Sequence, residues 1–147
     1  MIVGIHHTAL STRDADRLVE FYREAFGFEV EFEFPWDEAN EAFQQSHAVH
    51  ESAGRVVMIA NGASRLEIFE YEKPAPRADI VGRANADLGI AHFAVEVRDI
   101  EREFPRLEKA GMRFQSGLVT QTPEIKMAYG RDPDGNLIEV IDFHVGS

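Results

Sequence analysis

The chain has no cysteine, which rules out disulfides, thiolate metal ligands and cysteine nucleophiles. It also lacks any apolar run approaching the ~20 residues that cross a bilayer as a helix. Basic residues are scarce: 15 Lys and Arg stand against 26 Asp and Glu, a formal charge of −11. A surface so acidic repels a phosphate backbone, so neither nucleic acid nor an anionic membrane is expected as the main partner. No Gly-x-Ser-x-Gly elbow, phosphate-binding loop or dinucleotide glycine motif occurs, and serine hydrolase and nucleotide-binding readings fall away. The first residues lack the basic segment and apolar core of a secretion signal, which leaves a cytoplasmic location as the expectation.

What is present is a 147-residue chain, 44% hydrophobic and 28% charged, the balance of a globular protein with a real core. Two runs each bury a lone carboxylate among apolar residues: Arg65-Leu66-Glu67-Ile68-Phe69 and Asn136-Leu137-Ile138-Glu139-Val140-Ile141. Each has an earlier partner run carrying histidine, Gly4-Ile5-His6-His7-Thr8-Ala9-Leu10 and Gly89-Ile90-Ala91-His92-Phe93-Ala94-Val95. A carboxylate buried in a strand is costly unless a charge meets it. Two imidazoles and two carboxylates facing one another suit a divalent cation.

The two halves follow one plan. In the first, a strand over residues 2–10 leads to a helix capped by Thr12 or Asp14, with Leu18, Phe21, Tyr22, Ala25 and Phe26 on one face and Gly27 as its stop. In the second, a strand over 90–97 leads to a helix capped by Asp99, with Ile100, Phe104, Leu107 and Ala110 inward, Pro105 within it and Gly111 after it. Strict alternation over 28–34 places Phe28, Val30, Phe32 and Phe34 on one face of a half-exposed strand. A hairpin is expected around Asn61-Gly62-Ala63-Ser64, and a turn at Asp132-Pro133-Asp134-Gly135 between strands 125–131 and 136–143.

The order strand, helix, strand, strand, strand therefore occurs twice. The expected architecture is α+β: two βαβββ modules, about 1–72 and 88–147, joined by a linker at 73–87 into one domain with a curved, half-open mixed barrel. Residues 35–54 break the symmetry. They carry a modest helical pattern and suit either a lid or an ordinary surface helix.

These residues resemble the vicinal oxygen chelate superfamily, which includes glyoxalase I, methylmalonyl-CoA epimerase, extradiol dioxygenases and antibiotic-resistance proteins. The resemblance spans nearly the whole chain. Its carriers are His7-Thr8-Ala9-Leu10 with Asp14, residues 21–28, Leu66-Glu67-Ile68-Phe69-Glu70, residues 90–95 and residues 131–139. The resemblance implies a metal held by one residue from each of four strands, here His7, Glu67, His92 and Glu139. A set of two histidines and two glutamates looks like that of glyoxalase I. The chain departs from that enzyme in its insert at 35–54, and no counterpart of the basic residues that grip glutathione stands out.

The donor types suit Zn, Ni, Co, Mn or Fe. The expected function is a metal-dependent lyase or isomerase that removes a proton next to a chelated carbonyl of a small oxygenated substrate. Glu139, with Glu67 second, is the expected base. The alternatives are an Fe(II) extradiol-type dioxygenase, toward which Tyr129 points, and a non-catalytic small-molecule binding protein. His6 is expected on the opposite strand face from His7, and His47 and His50 at the surface or contacting substrate. Exposed sheet edges suggest a homodimer.

Overall fold

The computed structural model describes residues 1–77 and 82–146. Of the expected linker, residues 78–81 lie outside the described residues. The chain divides into two units, Met1–Ala78 and Asp79–Ser147. Each carries its own mixed sheet and helix, so the fold class is α+β. Among the described residues no helix is long and apolar enough to cross a membrane.

The first unit runs β1 (Thr8–Thr12), α1 (Ala15–Phe26), β2 (Glu29–Trp36), α2 (Glu41–His47), β3 (Ala53–Asn61) and β4 (Ser64–Lys73). Its sheet has the order β1-β4-β3-β2, with β1 and β4 parallel and the other pairs antiparallel. α1 lies over β3 and β4 and buries Leu18, Phe21, Tyr22, Ala25 and Phe26, the face its spacing predicts. Asp14 caps it by accepting from Arg17 N at 3.0 Å, and Gly27 ends it at φ 68°. β4 supplies a second cap, because Glu70 Oε2 accepts from Ala15 N at 3.1 Å. Strand alternation then fixes the rest: Leu66, Ile68 and Glu70 face α1, while Glu67, Phe69 and Tyr71 face away.

The second unit runs β5 (Phe93–Glu96), α3 (Ile100–Lys109), β6 (Arg113–Phe114), β7 (Val119–Thr122), β8 (Ile125–Arg131) and β9 (Leu137–Asp142). Its sheet has the order β5-β9-β8-β6, with β7 also on β8 and β5 parallel to β9. α3 packs on β9 through the fully buried Ile100 and Leu107. The expected cap is corrected here. Asp99 sits at the cap position with φ 59° and makes no side-chain cap bond, and Ile100 N instead donates to Asp142 Oδ2 at 3.3 Å. Ile138, Val140 and Asp142 thus face α3, and Leu137, Glu139 and Ile141 the other side. The turn before β9 is built on buried Asp132, whose Oδ1 accepts from Asp134 N, Gly135 N and Asn136 N at 2.9–3.0 Å.

Two further expectations change, and one is resolved. β1 and β5 start later than the apolar pattern suggested, at Thr8 and Phe93. Their pairing begins only at Thr8↔Leu66 and Phe93↔Ile138, and Ile2, Val3, Ile5 and Ile90 are exposed. In β2 the register shifts between Val30 and Phe32, so Val30 pairs with Ile59 but Phe32 with Met58. Neighbours on β3 point to opposite faces, so this bulge switches the apolar side of β2 midway instead of keeping it on one face. Val30 and Phe32 are 50% and 45% exposed. The insert at 35–54 forms α2, capped by Asn40 accepting from Phe43 N at 3.1 Å. It packs on the first unit's own sheet, with Phe43 stacked on Trp36 at 4.4 Å and Trp36 edge-on to Phe69.

Candidate functional site

Each sheet brings one expected histidine against one expected glutamate. His7 Nε2 lies 3.0 Å from Glu67 Oε2, and His92 Nε2 lies 3.3 Å from Glu139 Oε2. The two pairs arise from the same construction. Ala9 is the register partner of Glu67 on the β1–β4 ladder, and Ala94 that of Glu139 on the β5–β9 ladder. In both cases the histidine stands two residues before that alanine. Both histidines lie just ahead of their strands, on segments without ladder bonds. Among the described residues no three or more His, Cys, Asp and Glu side chains cluster closely enough to hold a metal, so the donors meet in pairs.

The surroundings differ. Glu67 shares its strand face with Phe69 and Tyr71, which join Trp36, Phe43 and His47 in an aromatic cluster. Burial first, and the negative charge of Glu67 second, raise the Tyr71 phenol above its ordinary range. The cross-strand neighbour of Glu67 is Met58, which offers no hydrogen bond donor of consequence. His7 Nδ1 faces His6 Nδ1 at 2.9 Å, which corrects the expectation that a strand pleat separates the two rings. Both precede β1, so no pleat acts there. His47 is exposed, as expected; its ring stacks on Phe43 at 4.1 Å, and its Nδ1 lies 2.9 Å from Phe43 O.

Glu139 is the less exposed carboxylate, its side chain 12% accessible against 20% for Glu67. Its cross-strand neighbour is Tyr129, whose ring stands edge-on to His92 at 5.1 Å. Burial first, and the negative charge of Glu139 second, raise the Tyr129 phenol above its ordinary range. Asn85 Oδ1 lies 2.9 Å from His92 Nδ1. The other ring nitrogen, Nε2, faces the Glu139 carboxylate at 3.3 Å, where a ring proton or a cation between the two satisfies both. The donor set of imidazole and carboxylate therefore fits a divalent metal, with no thiolate to close a structural zinc site.

The pairings of His7 with Glu67 and of His92 with Glu139 are those the sequence suggested, whereas Asn85 against His92 and His6 against His7 are contacts it did not indicate. It also missed Glu70 and Asp142 as helix caps, although aligning Glu67-Ile68-Phe69-Glu70 with Glu139-Val140-Ile141-Asp142 exposes them.

Comparison with known proteins accords with this construction. The chain belongs to the Glyoxalase/Bleomycin resistance protein/Dioxygenase superfamily, whose family model matches residues 4–140. Among individual proteins it is similar to a 2-epi-5-epi-valiolone epimerase of an Actinomyces species, 29% identical over 99% of this chain and 82% of that protein. It is also 27% identical to lactoylglutathione lyase of Schizosaccharomyces pombe, covering 93% of this chain but only 46% of the yeast protein. In fold it resembles the crystal structure of a glyoxalase family protein from Bacillus cereus, with a TM-score of 0.87 at 20% identity over 96% of this chain and 94% of that one.

Proposed function

We propose that the protein is a metal-dependent isomerase or lyase of this superfamily, in which His7, Glu67, His92 and Glu139 hold a divalent cation. Zn, Ni, Co, Mn and Fe(II) all accept such ligands. One observation carries the reading: the same His–Glu pair, built by the same register relation, recurs in both sheets. A chance core histidine would not be expected twice at equivalent points of a repeat. When bound, the ion acts as a Lewis acid toward a small substrate that presents two neighbouring oxygens.

The side chains of the chain do the remaining work. Glu139 takes the proton from the carbon beside the substrate carbonyl, with Glu67 the second candidate for that role. Tyr129 stands across the ladder from Glu139. Epimerisation, the activity named for the Actinomyces relative, requires a proton to leave and return at one carbon, which two carboxylates suit. The aromatic wall of Trp36, Phe43, Phe69 and Tyr71 beside Glu67 limits water on that side. The expected assembly is a homodimer.

Elemental analysis of protein purified without added metal tests the cation. About one ion per chain is expected for wild type and little for His7→Ala. Incubation with 2-epi-5-epi-valiolone in heavy water then tests the chemistry, by deuterium uptake beside the carbonyl. Glu67→Gln and Glu139→Gln are each expected to lower that uptake by about 10²–10⁴-fold while leaving the fold intact. Full activity in both variants ends the reading.

A further inference from the structure

We propose that Arg83 and Arg131 form an anion subsite beside Glu139, which receives a carboxylate or phosphate carried by the small substrate. The inference deepens the isomerase or lyase reading and rests on it for the identity of the anion's carrier. Anion binding itself is measured apart from metal and turnover.

A ladder relation and a pocket within one unit carry the proposal. Arg131 is the register partner of Leu137 on the β8–β9 ladder, as Tyr129 is of Glu139. Residues opposite one another share a sheet face, so Arg131, Leu137, Tyr129 and Glu139 lie on the side away from α3. Arg131 and Arg83 line one pocket with Leu137, Ile90 and Ala91, the residue before His92. Two residues along a strand span about 7 Å. An anion held by the arginines therefore sets a carbon a few bonds away beside Glu139.

The partners of both guanidiniums are backbone carbonyls. Arg131 donates to Gly135 O at 2.7 Å and to Arg83 O, and Arg83 donates to Leu88 O. A carbonyl orients a guanidinium without neutralising it, and each keeps N–H donors beyond these bonds. Among the described residues neither arginine forms an ion pair, whereas Arg23, Arg55, Arg65 and Arg106 each meet a carboxylate. Asp132, next to Arg131 in the chain, is committed to its turn. Its Oδ1 accepts from three backbone N–H groups, and its Oδ2 from the Asn136 amide at 2.7 Å. Gly89, at φ 107°, keeps room for Arg83, because a Cβ there would stand 2.8 Å from Arg83 Nη2. Two like charges lining one pocket repel, and an anion shared by both relieves that repulsion through charge-assisted hydrogen bonds. The planar fork of arginine matches carboxylate and phosphate alike.

The test titrates inorganic phosphate and malonate by calorimetry into the full chain at constant ionic strength, as purified and after dialysis against a chelator. Wild type is expected to bind at least one of them saturably in both preparations, and the tighter of the two names the anion. Arg83→Gln and Arg131→Gln are each expected to weaken that binding about 10-fold or more. Arg113→Gln is the control and is expected to change nothing. Arg113 also donates to turn carbonyls, Asp132 O at 2.9 Å and Pro133 O at 3.4 Å, but does not line the pocket. Thermal melting checks each variant; should Arg131→Gln lose its fold with the carbonyls it grips, Arg83→Gln decides. Wild type that binds neither anion, unchanged binding in the folded pocket variants, an equal loss in Arg113→Gln, or binding abolished by the chelator overturns the proposal. Anion binding in a protein that holds no metal and exchanges no proton supports the subsite and sinks the enzymatic reading instead.

Discussion

The two half-sites share a skeleton and differ in everything attached to it. In both, a glutamate on the last strand of the sheet meets a histidine two residues ahead of its ladder partner. In both, a carboxylate three residues after that glutamate caps the helix behind the sheet, Glu70 in one and Asp142 in the other. Around Glu67, however, stands an aromatic wall with Met58 across the ladder. Across the ladder from Glu139 stands Tyr129, and Asn85 lies against His92. The ladder relation is thus what the two halves share. The first half-site is walled by aromatic rings, and the second, the less exposed, has polar neighbours.

This contrast can be broken at several levels. The largest effect is expected from the ligands themselves: His7→Ala and His92→Ala should each weaken divalent metal binding by about 10²-fold or more, read by competition with a chromophoric chelator. If only one of them matters, the equivalence of the halves fails. The caps come next. Glu70→Ala removes the Ala15 N–H partner and leaves Arg55 with one fewer carboxylate, and Asp142→Ala strips partners from Ile100 N and His144 N. Each is expected to cost about 1–3 kcal/mol in urea unfolding, Asp142→Ala the more because Asp142 is almost fully buried.

The smallest effect is expected from the tyrosines. Both phenols are raised in the folded protein, so folding holds their protons more tightly than the unfolded chain does. That contribution is fully present below the ordinary tyrosine value of about 10 and is lost as pH rises past it toward the folded values. Stability should therefore fall above pH ~10, and Tyr71→Phe and Tyr129→Phe should each flatten the fall. Absorbance near 295 nm followed against pH in the two variants assigns the late-ionising phenols.

Much of this was legible in the chain because it depends on short-range periodicity. The helical spacing of Leu18, Phe21, Tyr22 and Phe26 fixed the inner face of α1, and Gly62 marked the hairpin that β3 and β4 close at Asn61↔Ser64. The position of Glu67 and Glu139 within apolar runs marked them as carboxylates needing a partner. The β2 bulge was hidden because Phe28-Glu29-Val30-Glu31-Phe32 alternates faultlessly as text, while one extra residue in the ladder turns the face over. His6 was misread for a related reason: alternation was applied to residues that lie outside the ladder.

The sequence by itself determined the inner face of α1, the glycine that ends it, and that two carboxylates sit within apolar runs. Those features follow from the two repeat lengths of regular backbone, which act between neighbours. Only the tertiary structure decided that Asn85 meets His92, that Tyr129 lies across from Glu139 while Met58 lies across from Glu67, and that β9 caps α3. Ladder register and loop path bring together residues far apart in the chain, and no local period records them.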